Sequence, residues 1–140
     1  MESYKFTVPV QIRMSDLDPF VHVNNGAQCH YFDLGRSAYL EKVLQNPVDW
    51  KTVNMVLVHI SMDFKRPVLF ADEIVCDSKV YELGVRSFKM QQQIRDMHTG
   101  EIKTVCRSAV CRFDRQTLAS MPLSDEQVRL IREFEGIETL

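Results

Sequence analysis

A stretch that no proline interrupts, from Gly26 to about Leu44, is the feature that most constrains the fold. Apolar residues recur in it at helical spacing, and further apolar side chains fall on the other sides of the same helix. A helix that is apolar over most of its circumference is surrounded by protein. At about 1.5 Å per residue it forms a rod of roughly 30 Å. Asn24 or Asn25 can cap its start, and Asn46-Pro47 stops it.

Five other segments alternate between apolar and polar residues with the period of two that is typical of strands. They are residues 5–13, 53–64, 73–82, 85–97 and 102–114. Pro9 lies on the polar side of the first segment, which indicates an edge strand or a bulge. The second segment is apolar on both faces at its start and carries one apolar face from Val56 to Phe64. This pattern predicts a strand in the centre of its sheet.

Ser124 and Gln127 have the spacing of a capping box and predict a short C-terminal helix that ends at Gly136. The order of elements is therefore a strand, a long helix, four antiparallel strands and a short helix. This order predicts one α+β domain over residues 1–140. We expect a curved sheet of about five strands to wrap the long helix. Because a curved sheet leaves strand edges unpaired, we also expect a homodimer or homotetramer.

The composition excludes several classes of protein. Of the 140 residues, 45% are hydrophobic and 26% are charged, which excludes intrinsic disorder. The net charge of −2 argues against a nucleic-acid partner, which usually requires a basic excess. The longest apolar run, Met55 to Ile60, is too short to span a membrane, and the charges within residues 1–20 predict no secretory signal peptide. We therefore expect a cytoplasmic protein.

The segment from Asp16 to Asn25 brings two carboxylates, an imidazole and two amides together immediately before the long helix. Asp and Asn residues in this position are ordinarily caps and turn formers. The same residues also suit a hydrolytic site, because a helix start offers unpaired N–H groups and a partial positive charge to an anionic intermediate. A carboxylate on the loop can then act as base or nucleophile on a bound electrophile. Composition leaves both interpretations open.

This segment reads D-x-D-x-x-x-H-V-N-N, follows a strand that ends at Arg13 and precedes Tyr31-Phe32-Asp33. In these features it resembles the hotdog-fold acyl thioesterases, which include 4-hydroxybenzoyl-CoA thioesterase and the acyl-ACP thioesterases that carry HVNN. Two later passages, Phe64 to Ile74 and Glu82 to Ser87, are also similar and come in the same order. The resemblance covers roughly residues 5–122 and implies the hotdog fold, a long central helix wrapped by an antiparallel sheet.

The resemblance further implies an acyl-CoA or acyl-ACP thioesterase. The family's active aspartate falls on Asp18, which would act as a general base on water or attack the thioester directly. The family's oxyanion donor is a backbone N–H at the helix start, which falls on Val23 or Asn24. His22 matches a histidine that is linked to catalysis in the acyl-ACP branch, and it could equally orient the loop. Asn25 is expected to serve as a cap or loop lock.

Two positions depart from the family. Val21 stands where a glycine is usual, and Gln28 stands where an aromatic residue is usual. Both are expected at the entrance of the site, where they would contact the acyl group of the substrate. The resemblance therefore does not predict which acyl group this protein prefers.

The other half of the substrate is expected to be coenzyme A or acyl carrier protein, with no separate cofactor. The nucleotide phosphates of coenzyme A need cationic partners. The candidates for this role are Lys65, Arg66, Arg86 and Lys89. His59 and Ser61, on the polar side of the second strand segment, are candidates to line the acyl pocket across a dimer. A hydrogen-bonded core histidine fits the pattern of His59 equally well.

Other chemistries fit the sequence less well. A serine hydrolase would require Gly-x-Ser-x-Gly, which does not occur. Cys29 lies inside the predicted helix, which does not suit a catalytic cysteine. The four cysteines lack the spacing of a zinc site, so we expect no metal. His30 and Asp33 lie on the same helix but match no dehydratase motif. The remaining alternative is a non-catalytic acyl-CoA-binding or sensing hotdog protein, against which the presence of Asp18 argues.

Overall fold

The computed structural model describes residues 3–45 and 54–137, in which five strands form one antiparallel sheet that carries a long helix. The elements are β1 (Phe6–Val10), α1 (Asn25–Leu44), β2 (Met55–Phe64), β3 (Ile74–Leu83), β4 (Ser87–Asp96), β5 (Ile102–Arg112) and α2 (Asp125–Glu135). A single 3₁₀ turn, Met14–Asp16, lies between β1 and α1. The predicted α+β architecture of the hotdog fold is confirmed.

The strand order is β1-β3-β4-β5-β2. Strand β1 is therefore an edge strand, as Pro9 predicts. Strand β2 forms the opposite edge, so the prediction that it is central is wrong. Within the described chain its apolar start pairs with β5 on one side only, and Val58 is 54% exposed. An apolar pattern on both faces indicates that a strand will be covered, but it does not show whether the cover comes from the same chain.

A bulge in β2 also changes which of its residues share a face. Leu57 pairs with Val110 and His59 pairs with Ala109, so Val58 is an extra residue in the ladder. Val110 is buried under the helix, and residues paired across strands share a face. The predicted single face from Val56 to Phe64 is therefore interrupted at the bulge.

Helix α1 begins as its capping residues predict. The side chain of Asn24 accepts a hydrogen bond from the N–H of Ala27 at 2.6 Å. The sheet-facing side of the helix is buried, with Phe32 and Tyr39 fully inaccessible, whereas Leu34 on the other side is 51% exposed. The prediction that protein surrounds the helix thus holds only on the sheet side of this chain. The predicted stop at Asn46-Pro47 lies outside the described residues.

Helix α2 closes the end of the core that lies farthest from the start of α1. Ser124 and Gln127 form the predicted capping box, and Gly136 ends the helix with a φ of 72°. The buried Glu135 accepts hydrogen bonds from the Tyr39 hydroxyl at 2.5 Å and from the N–H of Val80 at 3.1 Å. Neither α1 nor α2, the α-helices of the described part of the chain, has the length and apolar character that crossing a bilayer requires.

Candidate active site

Asp16 anchors the loop between β1 and α1. Its buried carboxylate accepts hydrogen bonds from the Tyr31 hydroxyl at 2.6 Å and from the N–H of Arg13 at 3.0 Å. Burial raises the pKa of Asp16, but the hydrogen bonds from Tyr31 and Arg13 outweigh it and hold the pKa below its ordinary value. The backbone carbonyl of Asp16 also accepts from the N–H of Asn24 at 2.9 Å. Asp16 therefore fixes the loop to the start of the helix and is not free to react.

Asp18 is held by one of its two carboxylate oxygens. Its Oδ1 accepts the N–H groups of Phe20 at 3.0 Å and of His22 at 3.2 Å. The N–H of Asp18 donates in turn to the carbonyl of His22 at 2.8 Å. The carboxylate is partly exposed, and no hydrogen bond to its Oδ2 occurs among the described residues. One oxygen thus orients the group while the other is free to act as base or nucleophile.

Val21 determines the shape of the turn that the Asp18 side chain spans. Its φ of 64° lies in the left-handed region, which glycine adopts readily. A β-branched residue there is strained, by about 1–2 kcal/mol. The backbone thus favours the glycine that the resemblance to the hotdog-fold thioesterases implies at this position. In this chain the Val21 side chain is exposed at the turn.

The start of α1 presents free backbone N–H groups, but not the two that the resemblance implies. The N–H of Val23 donates to the carbonyl of Val68 at 2.8 Å, and that of Asn24 donates to Asp16. Among the described residues, the N–H groups of Asn25 and Gly26 have no acceptor. These two belong to the first turn of the helix, whose N–H groups have no partner within the helix. The N–H groups of Val23 and Asn24 are thus occupied by backbone carbonyls, and the free ones at the helix start belong to Asn25 and Gly26.

A cleft of about 190 Å³, here called the Asp18 cleft, lies between the loop, the start of α1 and the end of β2. Its lining residues are Asp18, His22, Val23, Asn25, Gln28, Phe64, Lys65, Arg66 and Pro67. Most of the predicted site residues are thus brought together. Phe64 and Pro67 were not predicted as site residues, although both belong to a passage that resembles the family. Their position at the end of β2, opposite the helix start, could not be read from the sequence.

Two cations lie at the rim of the Asp18 cleft. The N–H groups of Lys65 and Arg66 both donate to the carbonyl of Lys103, at 2.8 and 3.0 Å, which fixes this segment to β5. Both residues are exposed. Within the described chain neither side chain forms an ion pair, so both remain available to an anionic group.

The structure places four predicted site residues away from this cleft. His59 and Ser61 are exposed on the edge strand β2, on the face turned away from the helix. Arg86 donates to the carbonyl of Ser120 at 2.7 Å, and Lys89 pairs with Glu82 at 2.9 Å.

Arg86 and Lys89 lie at the end of the sheet remote from the Asp18 cleft. The carbonyl of Arg86 accepts from the N–H of Arg112, whereas Lys65 is held at Lys103. The length of β5, about 30 Å, separates these positions. Within one chain, Arg86 and Lys89 therefore lie far from Lys65 and Arg66, and their role in phosphate binding stays a prediction. The sequence shows the charges but not the register that separates them.

The loop brings two acid–base side chains to the cleft, the Asp18 carboxylate and the His22 imidazole. Burial raises the pKa of the Cys76 thiol to about 12 and that of Cys106 to about 11, so both stay protonated at neutral pH. Over residues 3–45 and 54–137, no three His, Cys, Asp or Glu side chains converge as a metal site requires. A free carboxylate oxygen and an unpaired N–H group in one cleft suit attack on a carbonyl carbon.

A family model for the thioesterase superfamily matches residues 20–103. The chain belongs to the thioesterase superfamily. It is accordingly a thioester hydrolase, and the match includes the start of α1 and the rim of the Asp18 cleft. Comparison with individual proteins shows how far the likeness extends.

The long-chain acyl-CoA thioesterase FadM of Escherichia coli (strain K12) is 23% identical over 120 residues, which are 84% of this chain and 89% of FadM. A thioesterase from Thermus thermophilus, crystallised with coenzyme A and zinc, is 28% identical with a TM-score of 0.84. That likeness covers 97% of this chain and 98% of the Thermus chain. A predicted thioesterase from Bacillus stearothermophilus has the same fold, with a TM-score of 0.86 at 20% identity over 96% of this chain and 98% of its own.

Proposed function

We propose that this thioesterase hydrolyses acyl-CoA esters in the Asp18 cleft. The observation that carries the proposal is that the free oxygen of Asp18 and the unpaired N–H of Asn25 belong to one cleft. The thioester would lie between them, with its carbonyl oxygen toward the helix start. An oxyanion donor accounts for about 3 kcal/mol of transition-state stabilisation and a positioned base for about 10²–10⁴ in rate.

Two routes use this geometry. In the first, Asp18 takes a proton from a water molecule whose oxygen attacks the carbonyl carbon. In the second, Asp18 attacks the carbon itself and forms a mixed anhydride, which water then hydrolyses. In both, the electron pair of the carbonyl bond moves to oxygen, the Asn25 N–H stabilises the oxyanion, and the thiolate leaves. His22 acts through its backbone: its N–H donates to the Asp18 carboxylate, and its carbonyl accepts from the Asp18 N–H, so both contacts orient Asp18.

Coenzyme A is favoured over acyl carrier protein as the thiol. Lys65 and Arg66 are unpaired cations at the rim of the cleft, and phosphates bind such groups. FadM is named for activity on acyl-CoA, and the Thermus thioesterase was crystallised with coenzyme A. The coenzyme is part of the substrate, and the proposed reaction needs no separate cofactor.

A panel of acyl-CoA esters, with chains of different length and with aromatic acyl groups, tests this function. Thiol release is measured with a thiol-reactive dye. We expect release from at least one class of ester, and the profile over the panel identifies the acyl preference. If no ester is hydrolysed but acyl-CoA binds, the alternative function, a non-catalytic acyl-CoA-binding or sensing protein, replaces this one.

Substituting both rim cations, Lys65→Ala with Arg66→Ala, is expected to raise KM for acyl-CoA about tenfold and to leave kcat unchanged. The two contacts are made equally in the ground state and the transition state, so their loss affects binding alone. The corresponding acyl-pantetheine ester lacks the nucleotide and should show no change. Arg115→Ala, in an exposed loop, serves as the matched control. An equal rise in KM for both esters would exclude a role in phosphate binding.

We further propose that the chain forms a homodimer through β2. This strand is one of the two edges of the sheet, and it exposes Val56, Leu57 and Val58. A long apolar edge readily pairs with another strand, and a second copy would cover both the edge and these side chains. Light scattering is expected to give at least twice the mass of the 16.3 kDa chain. The mass of one chain would contradict the proposal.

A further inference from the structure

Gln28 is a buried amide inside the Asp18 cleft. It lines the cleft together with Asp18 and Asn25, yet only 2% of the residue is exposed.

The Gln28 side chain is fixed by one of its two polar atoms. Its Oε1 accepts a hydrogen bond from the hydroxyl of Thr104 at 2.5 Å, and Thr104 is fully buried on β5. Among the described residues, nothing accepts a hydrogen bond from Nε2. Nε2 is not one of the fully buried side-chain atoms that lack a partner, so the small exposed area of the residue leaves this donor in contact with the cleft. The amide therefore offers a preoriented donor to an acceptor that enters the cleft.

Gln28 lies about one helical turn after the unpaired backbone N–H groups of α1. Side chains of an α-helix lean toward its N-terminus and cover the preceding turn. Gln28 lies three residues after Asn25, so its amide covers the first turn, where the N–H groups of Asn25 and Gly26 are free. A side-chain donor and a backbone donor thus belong to one cleft.

We propose that Gln28 is a second oxyanion donor and that Thr104 is the residue that positions it. When the thioester carbon is attacked, the carbonyl electron pair moves to oxygen, which accepts from Gln28 Nε2 and from the Asn25 N–H. When the intermediate collapses, that pair re-forms the carbonyl and the thiolate leaves with its bonding electrons. Gln28 gives up no proton in the cycle. This inference rests on the proposed function of the Asp18 cleft.

Gln28→Met tests the inference, because methionine has the same length and lacks the donor. We expect kcat and kcat/KM to fall together by about 10²-fold with little change in KM, the signature of a contact made only in the transition state. Thr104→Val should produce a smaller loss, and Thr104→Ser should restore activity to near the wild-type rate. Gln116→Met, in an exposed loop, is the matched control.

Gln28→Glu provides a second variant should the methionine variant fail to fold. It retains the acceptor for Thr104 but replaces the donor by a carboxylate, so we expect a loss at least as large as for methionine. A folded Gln28→Met or Gln28→Glu variant with wild-type kcat overturns the inference and leaves the proposed function standing. A rise in KM that depends on acyl length, without loss of kcat, also overturns it. A wild-type protein that hydrolyses no ester overturns both.

Discussion

Asp18→Asn is expected to lower kcat for acyl-CoA hydrolysis by about 10³-fold or more in a chain that remains folded. Asparagine retains the side-chain oxygen that accepts the N–H groups of Phe20 and His22, so the turn keeps its shape. It replaces the free carboxylate oxygen with an amide nitrogen, which neither removes a proton from water nor attacks a thioester. The large effect thus follows from chemistry rather than from a change in fold. Thiol release under saturating substrate measures it, and circular dichroism monitors the fold.

The matched control is Glu126→Gln, the same change of carboxylate to amide on the exposed face of α2. It should leave kcat unchanged. If Asp18→Asn keeps the full rate, the assignment of the base or nucleophile is wrong. A raised KM with an unchanged kcat would identify Asp18 as a binding residue.

Asp77→Ala is expected to lower the free energy of unfolding by about 3 kcal/mol, the largest stability effect that we predict. The Asp77 side chain lies on β3, is almost completely buried, and joins three strands. It accepts hydrogen bonds from the Thr7 hydroxyl on β1 at 2.6 Å, from Gln93 on β4 at 2.7 Å and from Arg95 at 2.8 Å. Alanine leaves all three donors without an acceptor and loosens the edge strand β1. Urea unfolding at neutral pH measures the loss.

The contribution of Asp77 should also depend on pH. Burial raises its pKa, but the hydrogen bonds from Arg95, Thr7 and Gln93 outweigh burial, so the folded-state pKa lies below the ordinary value of 3.8. A carboxyl whose pKa is lower in the folded state stabilises the fold above its unfolded-state pKa, and this stabilisation is lost as the pH falls through the folded-state pKa. The difference in stability between wild type and Asp77→Ala should therefore shrink in acid. Glu41→Ala, at an exposed position on α1, is the control, and a gap that is constant down to about pH 2 would contradict the proposed cause.

Local signals predicted most of the fold. The capping residues Asn24 and Ser124 lie where the helices begin, and the alternating segments became the five strands in the predicted order. The position of β2 could not be predicted, because its apolar residues show that it needs a cover but not which chain provides it. The bulge at Val58 could not be predicted either, because a run of valine, leucine and histidine fits a strand with or without the register shift.

The site was predictable where its chemistry is local and unpredictable where it depends on tertiary contacts. The loop motif makes Asp18 a candidate, and the structure places it in one cleft with the helix start. Which N–H groups remain free depends on the carbonyls of Val68 and Asp16, and the sequence does not show these contacts. The free donor of Gln28 likewise depends on Thr104, which is far away in the chain.

The most direct test of the site is the crystal structure of the Asp18→Asn variant with an acyl-CoA analogue in which a methylene group replaces the thioester sulfur. We predict that the ketone oxygen lies within about 3 Å of the N–H of Asn25, the distance of a hydrogen bond. The side chain at position 18 should face the ketone carbon from the opposite side. An analogue bound with its ketone outside the Asp18 cleft, or with its oxygen directed away from the start of α1, would contradict the proposed mechanism.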